Sequence, residues 1–168
     1  MLNSAEEPGV IDELQQVLES TDCDFDRISS DVIRFDKEGE WYSYTFYVTC
    51  CDDREVLITS SIPLNIESKR RRRSIEKLLK LINLIHREPP VGTFRHDLTM
   101  DGKDVVIWSY CLRLTGNDIS VAEVLEEVLD EALVEMDGNY PAFQKVLLAM
   151  VSADEAYKLA IPPVYGHA

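Results

Sequence analysis

Between Trp41 and Cys50 the chain alternates with a period of two. Tyr42, Tyr44, Phe46, Val48 and Cys50 share one face, and Trp41, Ser43, Thr45, Tyr47 and Thr49 share the other. Such a run is a long strand. Cys51-Asp52-Asp53-Arg54 reads as a hairpin turn that returns the chain through Glu55–Ile62, so an antiparallel sheet is implied. Aromatic residues stand on both faces of the long strand, and the expectation is that neither face is plainly solvated.

The remaining elements follow from their own periods. Pro8 stands at a first helical position, and Val10, Ile11, Leu14, Val17 and Leu18 then keep helical spacing until Asp22–Asp26 closes the helix. Short extended segments are expected at Phe25–Ile28 and Val32–Phe35, ending in a turn at Glu38-Gly39-Glu40. A long helix is expected over Ile66–Arg87, stopped by Pro89-Pro90. Its stripe of Ile75, Leu78, Leu79, Ile82 and Ile85 is widened by Leu81 and Leu84 to well over half the circumference. A helix covering one sheet face needs less. The excess is expected to meet another helix or another subunit, and with Trp41 and Tyr47 on the exposed side it points to a homodimer. Gly92–Leu98 and Val105–Leu114 read as two antiparallel strands joined at Asp101-Gly102. Ser120 and Glu123 form a capping box for a helix ending near Gly138, with Val121, Val124, Leu125, Val128, Ala132 and Met136 inward. Tyr140-Pro141 is read as opening a further helix, in which Tyr140 and Phe143 anchor the fold. Ser152 and Glu155 restart a short last one before Pro162-Pro163. The 168 residues suit one domain, with an ordered core over 8–161 and loose tails at 1–7 and 164–168.

Composition narrows the function. With 31 acidic against 17 basic residues, the net charge is −14, which repels nucleic acid and anionic membranes at long range. No run approaches the roughly 20 apolar residues of a membrane span, and the N-terminus reads as neither basic nor apolar, so a soluble, cytoplasmic protein is expected. The seven glycines are scattered, which leaves no phosphate-cradling loop. Cys23, Cys50, Cys51 and Cys111 form no C-x-x-C pair and are expected as buried, reduced thiols; His86, His96 and His167 show no metal spacing. No nucleophile motif is present, so neither a catalytic residue, a cofactor nor a metal is assigned.

Two charge features remain. Lys69-Arg70-Arg71-Arg72-Arg73 opens the long helix, where the macrodipole disfavours cations. Arg71 lies beside Ile75 and Leu78 on the apolar side and is expected to be partly buried against a carboxylate, from the acidic helix or from Asp52 and Asp53; Arg70 and Arg73 project more to solvent. The acidic helix carries Asp118, Glu123, Glu126, Glu127, Asp130, Glu131, Glu135 and Asp137 without one basic residue between Asn117 and Gly138. It could complement the arginine run within or between subunits, or be simply solvated.

At Tyr140-Pro141-Ala142-Phe143-Gln144 the chain resembles the YbjN family, named for bacterial sensory transduction regulation. Trp41-x-x-Tyr44-x-Phe46, the Arg71–Asn83 helix ending in Leu-Ile-Asn, and Gly92-Thr93-Phe94 resemble further stretches of it, whereas Arg87-Glu88-Pro89-Pro90-Val91 departs from it. The resemblance implies an α+β, type III secretion chaperone-like fold: an antiparallel sheet flanked by helices in the order α-β-β-β-α-β-β-α. Beside that order, the residues themselves add an early extended segment and a split C-terminal helix. It also implies a non-enzymatic protein acting through protein partners in bacterial signalling or stress regulation. The candidate partner-binding residues are Trp41, Tyr47, Arg70, Arg71, Arg72, Arg73, Leu81 and Leu84. The alternatives are an enzyme with an unrecognised site, or a nucleic-acid-linked regulator using the Lys69–Arg73 run. The second is disfavoured because the rest of the chain is acidic and no aromatic residue interleaves the run.

Overall fold

The computed structural model describes residues 9–20, 23–52, 55–87, 91–114, 120–148 and 151–160, with only the backbone of Val121 and Ala122. The readings made for Pro8, the Asp53-Arg54 turn, Pro89-Pro90, Pro162-Pro163 and both tails lie outside the described residues. The elements run α1 (Val10–Ser20), β1 (Phe25–Ser29), β2 (Val32–Glu38), β3 (Ser43–Asp52) and β4 (Glu55–Pro63). A 3-10 turn (Ser68–Arg70) leads into α2 (Arg71–Ile85), followed by β5 (Thr93–Leu98), β6 (Asp104–Arg113), α3 (Val121–Leu147) and α4 (Ala153–Ala160).

The six strands form one sheet in the order β1-β2-β3-β4-β6-β5, antiparallel at every pairing. Hairpins build β1 to β4. The chain then crosses through α2, enters as the edge strand β5 and returns as β6 beside β4. The β5–β6 turn uses Gly102 at φ 77°, with Gly102 N donating to Thr99 O at 2.9 Å, as the Asp-Gly signal required.

Register decides which side chains meet the helices. Ile33, Phe35, Tyr44, Phe46, Val48, Val56, Ile58, Ile62, Phe94, Val106 and Trp108 lie on one face and join the buried side chains of all four helices in one core cluster. Helix α1 packs over β2 and β3, α2 over β5, and α4 against α2 and α3. The opposite face carries Val32, Arg34, Thr45, Tyr47, Leu57, Thr59, Ile107, Ser109 and Cys111, all exposed or half-buried. Both faces of β3 are therefore not equally covered: the Tyr47 side faces outward, as one side of an antiparallel sheet can.

Several boundaries differ from expectation. Trp41 and Tyr42 precede β3 in the turn, where Tyr42 stacks on Tyr140 with ring centroids 6.1 Å apart. Helix α2 begins at Arg71 rather than Ile66, after extended residues and the 3-10 turn. The four cysteines are free, but none is buried; Cys51 and Cys111 are exposed because they fall on or beside the uncovered face. Helix α3 does not stop at Gly138. It passes through Pro141 to Leu147, and the break comes before α4. An interior proline costs about 3 kcal/mol, but Ala142, Phe143 and Val146 beyond it are fully buried, and burial of a large apolar side chain is worth about 1.5–3 kcal/mol. Both caps form at the expected residues, the second as a full capping box: Glu123 N donates to Ser120 Oγ, whereas Ser152 N and Oγ both donate to Glu155 Oε2 at 2.8 Å and Glu155 N donates back to Ser152 Oγ. Those bonds hold the Glu155 carboxyl below its ordinary value, the Ser152 backbone bond foremost.

Candidate functional site

The arginine run is dispersed by helical geometry. Successive residues turn by about 100°, so neighbours in sequence face different surroundings. Arg71 turns inward to the start of β6: its Nε and Nη2 donate to Asp104 at 2.9 and 2.8 Å. Asp104 is only 8% exposed, and His96 Nε2 donates to the same carboxylate at 2.8 Å. The partner is thus neither the acidic helix nor the β3–β4 turn. Arg72 is 94% exposed and reaches only Glu76, one turn on. Arg70 stands 3.8 Å from Glu67, and Arg73 turns away from Arg71 into a cleft with Lys69, Arg70, Ser74 and Lys77.

The Arg71 guanidinium is the main cause that holds Asp104 below the usual carboxylate range, with His96 adding to it against the effect of burial. A depressed folded value means this contribution is complete above the unfolded carboxylate range, at about 3.9, and is lost as pH falls through the folded value. Asp104→Asn is expected to cost about 1–3 kcal/mol at neutral pH, because it weakens three hydrogen bonds, from Arg71 and His96, to a buried acceptor. Arg71→Ala should lower the denaturant midpoint more than Arg70→Ala or Arg73→Ala, whose charges are screened. Equal small losses for the three would show that the Arg71 pair contributes nothing beyond surface charge.

The acidic helix serves two purposes. Toward its middle Glu135 and Asp137 clamp α3 to the sheet. Glu135 accepts from Trp108 Nε1 at 2.8 Å, from Gly92 N at 3.1 Å and from Val91 N; Asp137 accepts from Glu40 N at 2.7 Å and Tyr44 Oη at 2.8 Å. Burial, and then the Asp137 bond, push the Tyr44 hydroxyl far above its ordinary value. Nearer its start, Glu123, Glu126 and Glu127 are exposed, and Asp130 pairs with Lys37 at 2.6 Å. Leu147 and Leu148, at the far end of α3, share a small cavity with Arg70 and Ser74. At 1.5 Å per residue, Glu123 therefore lies roughly 36 Å along the helix from the arginine run, and the nearer acids Glu135 and Asp137 are taken up by β3, β6 and the chain before β3 and β5.

The other candidate residues do not converge on one site. Trp41, 55% exposed, sits in the β2–β3 turn, and Tyr47, 40% exposed, on the uncovered sheet face beside Arg34. Leu81 and Leu84 are buried in the core among α2, α3 and α4, so these two residues are used inside the chain and line no surface. Leu79 is exposed. His86 Nε2 accepts from Phe94 N at 3.0 Å and ties the end of α2 to β5. Among the described residues no three His, Cys, Asp or Glu side chains gather as a metal site, and no helix is long and apolar enough to cross a membrane. A second cavity, about 270 Å³, opens between α1, β2 and α3; it is lined chiefly by Leu14, Leu18, Phe35, Leu125 and Leu129, with Lys37 and Glu126 alongside.

No family model matches the chain, and no curated protein matches it in sequence. Among solved structures, YbjN from E. coli, a candidate transcription regulator, superposes with a TM-score of 0.52 at 11% identity, covering 76% of this chain and 90% of that one. A protein from Methanothermobacter thermautotrophicus gives a TM-score of 0.45 at 9% identity, over 88% of this chain and 99% of that one. The Yersinia pestis type III secretion chaperone SycH, in complex with a stable fragment of YscM2, gives 0.35 at 14% identity, over 72% and 94%. The fold resembles that of YbjN: an α+β architecture with a six-stranded antiparallel sheet and its helices on one side.

Proposed function

We propose that this chain is a non-enzymatic binding protein of the bacterial cytoplasm, acting in regulation through a protein partner that seats on the helix-free face of the sheet. One observation carries the reading. All four helices contribute to the core on one side, and the other side offers Tyr47 among Val32, Leu57 and Ile107, with rows of threonine and serine between them. A tyrosine on a flat, rigid surface supplies large contact area at small entropic cost, which is why such residues anchor interfaces. The likeness to YbjN supports a regulatory setting. A second copy of this chain is one occupant such a face accepts.

The test pairs stability with binding. Tyr47→Asp should change the unfolding free energy by no more than about 0.5 kcal/mol, since the side chain is outward-facing. It should also remove the proteins that crosslink to the wild type at low salt. Partners retained equally by both proteins would mean that this face is only solvated. Light scattering on the wild type separates the occupants: a concentration-dependent dimer lost in Tyr47→Asp identifies a second copy, and a monomer throughout removes it.

A further inference from the structure

The cleft at the start of α2 lies on the helix side of the molecule, apart from the sheet face. Lys69, Arg70, Arg73, Ser74 and Lys77 line a space of about 450 Å³. In a chain of net charge −14, most cations find a carboxylate, as Arg27, Arg34, Lys37 and Arg71 do. Here they do not. Among the described residues Lys69 and Arg73 form no ion pair, Lys77 Nζ donates to Val151 O at 3.3 Å and feels Glu155 only at longer range, and Arg70 has only the solvated Glu67, 3.8 Å away. The helix terminus adds to the imbalance. The first turn of α2 holds no acid, and the preceding 3-10 turn, whose Ser68 O accepts from Arg71 N, supplies no carboxylate of its own.

Ser74 is the second observation. It is 2% exposed and lines both this cleft and the smaller cavity beside it, yet its hydroxyl has no hydrogen-bond partner among the described residues. No fully enclosed side-chain nitrogen or oxygen among the described residues lacks a partner, so this hydroxyl is the part of Ser74 that reaches the cleft between the cations. The lining offers donors from several directions: the planar fork of Arg73 and that of Arg70, two ammonium groups and a hydroxyl. It offers no aromatic ring for a base to stack on and no apolar side chain to seat a peptide anchor.

From this geometry we propose that the cleft binds clustered phosphoryl groups of a small soluble ligand. Tetrahedral oxyanions present acceptors in several directions at once, matching donors spread around a concave site. The cleft is wider than one phosphate needs, so two or three linked groups fit its four cations.

Calorimetric titration of the full chain with sodium tripolyphosphate tests this. Saturable one-to-one binding is expected, weakened about tenfold by Arg73→Ala and less than about twofold by Arg72→Ala, which removes the same charge one residue away on the solvent face. Lys69→Ala is the second cleft variant should Arg73→Ala fail to fold, and Ser74→Ala should weaken binding several-fold. A sugar bisphosphate in place of tripolyphosphate distinguishes the sources: tighter binding marks an organic phosphate, weaker binding a free polyphosphate. The proposal is overturned if millimolar tripolyphosphate gives no binding, or if Arg72→Ala and Arg73→Ala weaken it equally. It is also overturned if a tetraglutamate peptide binds as tightly, which would make the cleft a carboxylate or acidic-peptide site. None of these results depends on Tyr47, so failure here leaves the sheet-face reading standing.

Discussion

Phe143→Ala is expected to lower the unfolding free energy by about 3–5 kcal/mol, read as a fall in urea midpoint at unchanged slope. Phe143 is fully buried in the last third of α3, just after Pro141, and its ring meets Phe94 of β5 edge-on at 5.5 Å. Truncation removes that contact and opens a void between the helix and the sheet edge, where the backbone is held by Glu135 and His86 and cannot collapse inward. Tyr140 is only half-buried and stacks on Tyr42, so Tyr140→Ala should cost less. A Phe143→Ala protein that melts like the wild type but loses a partner would make Phe143 a contact residue instead.

Trp108→Ala should fall at or above the upper end of the same range, about 5 kcal/mol. Trp108 is fully buried in β6, beside Phe94 of β5 and Ser60 of β4, and its indole donates to Glu135. The indole also explains Gly92: a Cβ there would stand 2.2 Å from the Trp108 ring, so only glycine lets the chain enter β5 across its edge. Alanine at 108 therefore removes a large apolar group and one of the three donors on Glu135. Trp108→Phe isolates the second term, since a ring is kept and the indole N–H is lost; about 1–3 kcal/mol should remain missing. Full recovery by phenylalanine would show that the Glu135 bond adds nothing. Against a typical domain stability of about 5–15 kcal/mol, either alanine variant removes a large share.

Much of the architecture was legible from local signals. The alternation of β3 from Ser43 onward, the Asp101-Gly102 hairpin and the two Ser-x-x-Glu caps each depend on residues within a few positions, and each stands where its pattern put it, Trp41 and Tyr42 excepted. That Arg71 meets a carboxylate also followed from its spacing to Ile75 and Leu78, although it stays 47% exposed and only its partner is buried. Which carboxylate it meets did not follow, because Asp104 is 33 residues away and becomes a neighbour only when β6 pairs with β4. Glu135 and Asp137 were visible merely as two acids among eight. Their role as clamps could have been suspected from their place at the edge of the apolar stripe, opposite the glycines at 92 and 39, but nothing local says which donors they meet.

The sequence by itself determined the strands, most helix positions and the polarity of each face, because backbone propensity, side-chain period and turn chemistry act over a few residues. Tertiary structure alone decided coverage. Packing of α3 and α4 on α2 hid Leu81 and Leu84, the same burial carried α3 through Pro141, and placement of every helix on one side left Tyr47 uncovered. It likewise split five adjacent basic residues among an ion pair, open solvent and a cleft. Which apolar surface is buried, and which charge is neutralised, depends on the free energy of burying groups far apart in the chain. Local pattern cannot weigh that term.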